Sequence, residues 1–299
     1  MKKTLVATRS DRLDVYLSEE LNISRSKAQK LLEDAYVNGV KVKKAGDKIK
    51  DGDEISYEEQ VSTPSNIKPS DIKYDVVYED EDIIVINKPR GLVVHPAIGH
   101  LEDTLVNALA YNYDFDDMLG EDDNRPGIVH RIDKDTSGLL VVAKNLEAKD
   151  FLAKEIASHK VNREYLCMVY GHPRDRFFKV DAPIARHPYK RILMAVDVEN
   201  GKEAQTHFEV VREFKDCSLV KCQLETGRTH QIRVHLSFIN HPIIGDPLYT
   251  SKVDPLFKEG QVLHAYKLEL THPRTLERMT FYAPIDDYFK KCLEIKSKL

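Results

Sequence analysis

The sequence has little cysteine, no long apolar run and no strong charge of either sign. Its four cysteines, Cys167, Cys217, Cys222 and Cys292, are scattered through 299 residues, which excludes a disulfide framework and fits a reducing compartment. Cys217 and Cys222 sit in apolar strand-like runs without a second close pair, so they read as core residues rather than ligands. His230, His235 and His241 lack both a His-Glu-x-x-His arrangement and a cysteine pair, and no metal or other cofactor is expected. No stretch of about 18 apolar residues occurs, and the first nine residues turn charged too soon for a signal peptide, so a cytoplasmic protein without membrane contact is expected. Gly-x-Gly-x-x-Gly and Walker loops are missing, which argues against a doubly wound nucleotide-binding fold. The net charge of -4 argues against attraction of nucleic acid by bulk charge.

Charge is distributed unevenly. Residues 61–130 carry 5 basic and 14 acidic side chains, whereas residues 131–299 carry 28 and 23, which allows a local basic groove in the last segment. Six of the acids fall between 112 and 124 and predict a solvated loop. With 41% hydrophobic residues, the chain can build one large and one small domain.

Leu13, Leu17 and Leu21 recur at helical spacing, Ser24 can cap a second helix running to about Asp34, and the Asn38-Gly39 turn joins two short strands. These predict a small module over residues 1–60. Arg25, Lys27 and Lys30 cluster on its second helix and Lys41 and Lys43 on its hairpin, a candidate phosphate-binding face. Residues 61–75 have the Ser- and Pro-rich composition of a linker, leaving residues 76–299 as the large domain. There the unbroken apolarity of Ile83 to Ile86 predicts a buried strand, and Lys88 and Arg90 occupy a turn within reach of backbone. Asn145 can cap a helix to about Ser158, Arg163 to Tyr170 is rich in strand formers, and residues 204–214 and 218–226 pattern as a hairpin. Strands and helices do not alternate regularly, so the expected class is α+β, with a large mixed, mainly antiparallel sheet.

The most unusual chemistry lies in His130-Arg131-Ile132-Asp133-Lys134-Asp135-Thr136-Ser137-Gly138-Leu139-Leu140, a charged turn clamped between apolar runs. Preceded by Arg125-Pro126-Gly127-Ile128-Val129, it resembles the signature loop of the RluA/RluD family of RNA pseudouridine synthases. Arg163 to Tyr170 resembles the family's second motif, and Leu224-Glu225-Thr226-Gly227-Arg228-Thr229-His230-Gln231-Ile232-Arg233-Val234-His235 resembles its arginine motif, which opens a helix. Arg-Leu-Asp-x-Tyr-Leu, the Ser24 to Asp34 run, Val-Asn-Gly and Gly-Asp-Glu-Ile resemble the S-four-like RNA-binding module.

The resemblance implies a cofactor-free isomerase acting on uridine within RNA, most plainly large-subunit ribosomal RNA or its precursor particle, and a monomer. Asp133 is then the catalytic aspartate, Arg131 the side chain that fills the gap left by a flipped-out base, and Tyr165 a residue lying against that base. A buried carboxylate needs a cation beside it to stay ionised, and Arg228 is the expected partner of Asp133.

Overall fold

The computed structural model describes residues 2–21, 28–29, 31–58, 67–97, 99–113, 126–190, 192–252 and 254–298. Two compact units divide the chain near residue 66.

In the first unit, β1 (Lys2–Val6), β2 (Asp11–Arg12), α1 (Leu13–Glu20), β3 (Tyr36–Val37), β4 (Val40–Lys41), β5 (Lys48–Ile49) and β6 (Glu54–Glu58) follow in order. One sheet runs β1-β6-β3-β4, and β2 pairs with β5. Leu13, Tyr16 and Leu17 of α1 are buried against Ile49, Ile55 and Tyr57, the face that the leucine spacing predicted. The β3–β4 hairpin turns at Asn38 and Gly39, both left-handed (φ 49° and 79°), as a tight two-residue turn demands. Asn38 also donates to Asp53 and accepts the Glu54 N–H, so its side chain ties the hairpin to β6. Lys41 is ion-paired with Asp34 and Lys43 is exposed. Ser24, Arg25, Lys27 and Lys30 lie outside the described residues.

The second unit comprises β7 (Asp75–Glu79), β8 (Ile83–Lys88), α2 (Leu105–Asn112), β9 (Ser137–Ala143), α3 (Leu146–Ala157), β10 (Asn162–Tyr170), β11 (Phe177–Asp181), β12 (Ile184–Arg186), β13 (Met194–Val196), β14 (Gln205–Glu213), β15 (Cys217–Leu224), α4 (Gln231–Phe238), β16 (Leu263–Thr271), β17 (Arg278–Tyr282) and α5 (Asp287–Ser297). Its large sheet runs β11-β14-β15-β10-β16-β9-β8-β7, with β17 on β16. Every pairing is antiparallel except the short β16–β9 contact, so the class is the expected mixed, mainly antiparallel α+β. β8 and β9 are buried along almost their whole length, which is why both read as continuous apolar runs.

Residues 67–74, the second half of the expected linker, belong to this unit. Ile72 and Tyr74 pack on its core, the Ser70 hydroxyl donates to the Glu102 carbonyl, and Ser70 N–H donates to the Asn107 carbonyl. They form an extended strap that makes side-chain and irregular backbone contacts without joining the sheet. Residues 59–66 and most of the acidic stretch, 114–125, lie outside the described residues. The helix caps follow the sequence closely: Asn145 accepts the Ala148 N–H at the start of α3, and Asp286 accepts the Phe289 N–H at the start of α5. All four cysteines are buried and unbridged, as expected of core residues.

Candidate active site

The loop between Ile128 and β9 is fixed from several sides. His130 Nε2 accepts the Val141 N–H, and the Thr136 N–H closes a turn on the Asp133 carbonyl. Lys88, fully buried at the end of β8, donates to the carbonyls of Pro89, Leu92 and Lys134 at 2.8, 2.8 and 3.0 Å. Burial, reinforced by Arg90, pulls Lys88 down to about 7, yet three carbonyl acceptors require three N–H donors, which only the ammonium supplies. Arg90 donates to the carbonyls of Asp135 and Gln261 and pairs with Asp286. The two basic residues of the Lys88–Gly91 turn thus touch backbone, as their place in the sequence suggested. Gly138, at φ 108°, has the Ala265 carbonyl where a Cβ would stand, so no larger residue fits where β9 meets β16.

Asp133 emerges from this loop with 18% of its side chain exposed, and its Oδ2 accepts from Arg233 NH1 at 2.8 Å. The cation on Asp133 is therefore Arg233, not Arg228. Arg233 lies on α4, whose residues 231–236 are all buried, and its other face forms a two-point pair with Asp246 at 2.7 and 2.9 Å. Burial opposes its charge, but the hydrogen bonds and fields of Asp246 and Asp133 outweigh burial and raise its pKa. Asp246 is in turn locked by the N–H groups of Leu248 and Tyr249. Arg228 is exposed, donates through Nε to the Glu203 carbonyl at 2.9 Å, and lines the same cavity. Asp133 Oδ1 accepts no hydrogen bond among the described residues, and His230 Nε2 stands 3.9 Å from it.

His230 caps α4 in the left-handed region (φ 56°). Its Nδ1 lies 2.8 Å from the Tyr249 hydroxyl, which already accepts the Met194 N–H. Burial holds Tyr249 protonated, up to about 12, and holds His230 below its ordinary value. The economical arrangement has the Tyr249 hydroxyl donating to Nδ1, which leaves the ring proton on Nε2, facing Asp133.

A cavity of about 510 Å³ opens over Asp133, lined among others by Arg131, Ile132, Tyr165, Arg228, His230 and Arg233. This is within the range of ligand-binding clefts. Tyr165 is 5% exposed and packs with Ile132, Ile232 and Leu263; burial, and then Asp133 against the opposing field of Arg163, raises its pKa. Arg131 is exposed at the same cavity, with NH1 3.1 Å from His95 Nε2. Asp133, Tyr165, Arg131 and Arg228 are thus brought together from three stretches of chain. Sequence reasoning missed Arg233 and Asp246. Asp246 carried a weak signal, a lone acid in a Gly-Asp-Pro turn after two isoleucines, and Arg233 one more, a charge flanked by apolar neighbours.

A mixed, mainly antiparallel sheet with an aspartate held by an arginine at an open cleft fits an enzyme of the pseudouridine synthase type. Residues 82–238 match the RNA pseudouridylate synthase family and residues 11–55 the S4 domain, and the chain belongs to the RNA pseudouridine synthase family. It is 44% identical to the uncharacterized RNA pseudouridine synthase YlyB of Bacillus subtilis over 96% of this chain and 94% of that one. It is 40% identical to ribosomal large subunit pseudouridine synthase D of Escherichia coli strain K12, over 95% and 90%. Among solved structures, human RNA pseudouridylate synthase domain containing 4 superposes with a TM-score of 0.58 at 26% identity, covering 73% of this chain and 91% of that one.

Proposed function

We propose that this isomerase converts particular uridines of large-subunit ribosomal RNA to pseudouridine, with Asp133 as the reacting carboxylate. The observation that carries the reading is the one-sided ion pair: Arg233 holds Oδ2 and keeps the group anionic, while Oδ1 is left free beside the cavity. In the reaction the N1–C1′ bond breaks, the ring turns, C5 bonds to C1′, the C5 proton departs and N1 gains one. Mass is conserved and no electron acceptor is needed, in keeping with the absence of any cofactor from the expected chemistry.

The target base must first leave its stack, at a cost of a few kcal/mol. Arg131, exposed at the mouth, has the planar cation that can stack into the vacated gap and reach a phosphate. Tyr165 offers the base an aromatic face. The S4 unit supplies sequence-tolerant RNA affinity, and the relatives named for the large ribosomal subunit make that RNA the favoured substrate. We place the protein in the cytoplasm as a monomer; no described helix is long and apolar enough to cross a membrane.

Pseudouridine mapping by chemical adduct and primer extension, in cells with and without the gene, tests the reading. Specific stops in 23S-type RNA should vanish on deletion and return with the parent protein but not with Asp133→Asn. Unchanged ribosomal stops on deletion would reject the substrate, and rescue by Asp133→Asn would reject the mechanism.

A further inference from the structure

Four arginines line the cavity, Arg131, Arg163, Arg228 and Arg233, and of the two that are buried, Arg233 has its carboxylates whereas Arg163 has no counter-ion among the described residues. Arg163 on β10 is 6% exposed and lines the cavity. Its Nε is sealed from solvent without a hydrogen-bond partner, and among the described residues its guanidinium makes no hydrogen bond or ion pair. Strand alternation puts it on the face that carries Tyr165, since Asn162 and Glu164 are half-buried and Arg163 and Tyr165 are buried. The guanidinium lies against Gly227: a Cβ there would come within 2.6 Å of Arg163 NH1. Gly227 does not have a left-handed φ, so it serves to make room for the arginine rather than to turn the chain.

His130 does not neutralise it. Because His130 Nε2 accepts the Val141 N–H, a neutral ring must carry its proton on Nδ1, which is also buried without a partner. Burial first, and then Arg163, hold His130 down to about 3, so the ring is a neutral donor. Asp133 is a carboxylate lining this cavity, and Arg233 already holds it. Two residues that line the cavity, one of them a full cation, therefore keep buried donors without a partner among the described residues. An arrangement so costly to bury persists where a ligand completes it.

The reaction proposed above produces one anion in this place. When the N1–C1′ bond breaks, the bonding pair stays with the ring, and the uracil anion spreads its charge over N1, O2 and O4. That charge disappears only when C5 has bonded to C1′, the C5 proton has passed to a base and N1 has taken a proton. Phosphates keep their charge in water at the rim, where Arg131 and Arg228 are exposed; Arg163 is buried beside the aromatic wall of the cleft.

We propose that Arg163 is a catalytic residue that binds a carbonyl oxygen of the uracil ring and stabilises the detached uracil anion, with His130 Nδ1–H as a second donor. This rests on the isomerase reading with Asp133. A preorganised donor aimed at developing charge strengthens its hold as the bond breaks.

Single-turnover rates and RNA affinities of wild type, Arg163→Met and Arg163→Lys test it, using one RNA with uridine and one with 5-fluorouridine at the target, and following loss of the parent nucleoside. The fluorinated ring carries negative charge better by itself. Arg163→Met should slow uridine by ~100-fold or more with affinity changed less than ~3-fold, and slow 5-fluorouridine at least ~10-fold less; Arg163→Lys should recover part of the rate. Since the variant buries methionine in place of an unpaired cation, its melting temperature should be equal or higher. Equal losses on both substrates would overturn the proposal. So would a salt-dependent loss of affinity with an unchanged saturated rate, which marks a phosphate contact, or a lower melting temperature that accounts for the lost rate, which marks a structural arginine. Wild type in the same assay separates the two readings: no product from it counts against the isomerase itself, whereas product from it with equal losses in the variants counts against Arg163 alone.

Discussion

Arg233 sits between two carboxylates and treats them differently. Asp246 takes two of its donors and two backbone N–H groups, and is completely shielded; Asp133 takes one donor and keeps an oxygen free. Asp246 is thus a positioning residue that aims the guanidinium, and Asp133 is the group left able to react. Asp133→Asn should lower turnover by more than ~1,000-fold with RNA affinity almost unchanged, because an amide is isosteric but neither nucleophilic nor anionic. Arg233→Met should be nearly as damaging, and the double variant scarcely worse than either, since each change disables the same pair. Arg228→Met, at the rim, should cost less than ~10-fold. Steady-state kinetics of the four proteins decides this, and a greater loss from Arg228→Met than from Arg233→Met would reinstate Arg228. Tyr165→Phe keeps the aromatic face; base binding should persist and product formation fall by ~10- to 100-fold if the hydroxyl takes part in removing the C5 proton. Turnover equal to wild type would reduce Tyr165 to a wall of the cleft.

Among the elements, α5 carries more of the site than its distance along the chain suggests. Its cap, Asp286, accepts from Arg90 and from Ser137, and Arg90 holds the carbonyls of Asp135 and Gln261. Ser137 in turn contacts His264 on β16, so the loop that carries Asp133 is braced from below by the start of α5. Burial alone would raise the Asp286 pKa, but Ser137, Arg90 and the Phe289 N–H outweigh it and the pKa is lowered. A carboxyl with a depressed folded pKa contributes stability that is present above its unfolded pKa and lost as pH falls through the folded one. Asp286→Asn should therefore destabilise the large unit by about 2 kcal/mol at pH 7 and flatten its stability below pH 4, as read by urea unfolding across pH. An acid limb as steep as that of wild type would remove Asp286 from this role.

At the scale of the whole molecule, the strap 67–74 sets where the large unit can be cut. A fragment of residues 67–299 keeps Ile72 and Tyr74 on the core and should fold alone, with weaker RNA binding and its cleft intact. A fragment beginning at residue 76 loses those contacts and should melt several degrees lower. Equal melting of the two fragments would show the strap to be dispensable, and an unfolded longer fragment would show that the units depend on each other. Turnover should also survive dialysis against chelator, because the proposed steps move only protons and the C1′ bond. Activity lost to chelator and regained with a divalent ion would overturn the metal-free chemistry.

Local rules sufficed for much of this protein. The apolar runs Ile83 to Ile86 and Leu139 to Val142, the Asn38-Gly39 turn, the Asn145 cap and the strand over Arg163 to Tyr170 each follow from hydrophobic period or turn chemistry within a few residues, and the three motifs marked the lining of the cleft. The β12–β13 hairpin and the two-residue strands β2 and β5 escaped because they are short and owe their form to tertiary contacts, whereas α2 carried a local signal that went unread, the capping box of Thr104 and Asn107. Arg228 and Arg233 lie five residues apart in one motif, and nothing within that motif says which of them turns inward. That was decided by α4, whose residues 231–236 are all buried, and by Asp246 thirteen residues on, whose locked carboxylate fixes Arg233 against Asp133. Sequence alone determined which stretches of chain line the cleft, because residue type and spacing are local; only the tertiary structure decided which cation meets which anion, and which one is left without a partner among the described residues, because a buried charge is placed by every element that closes around it.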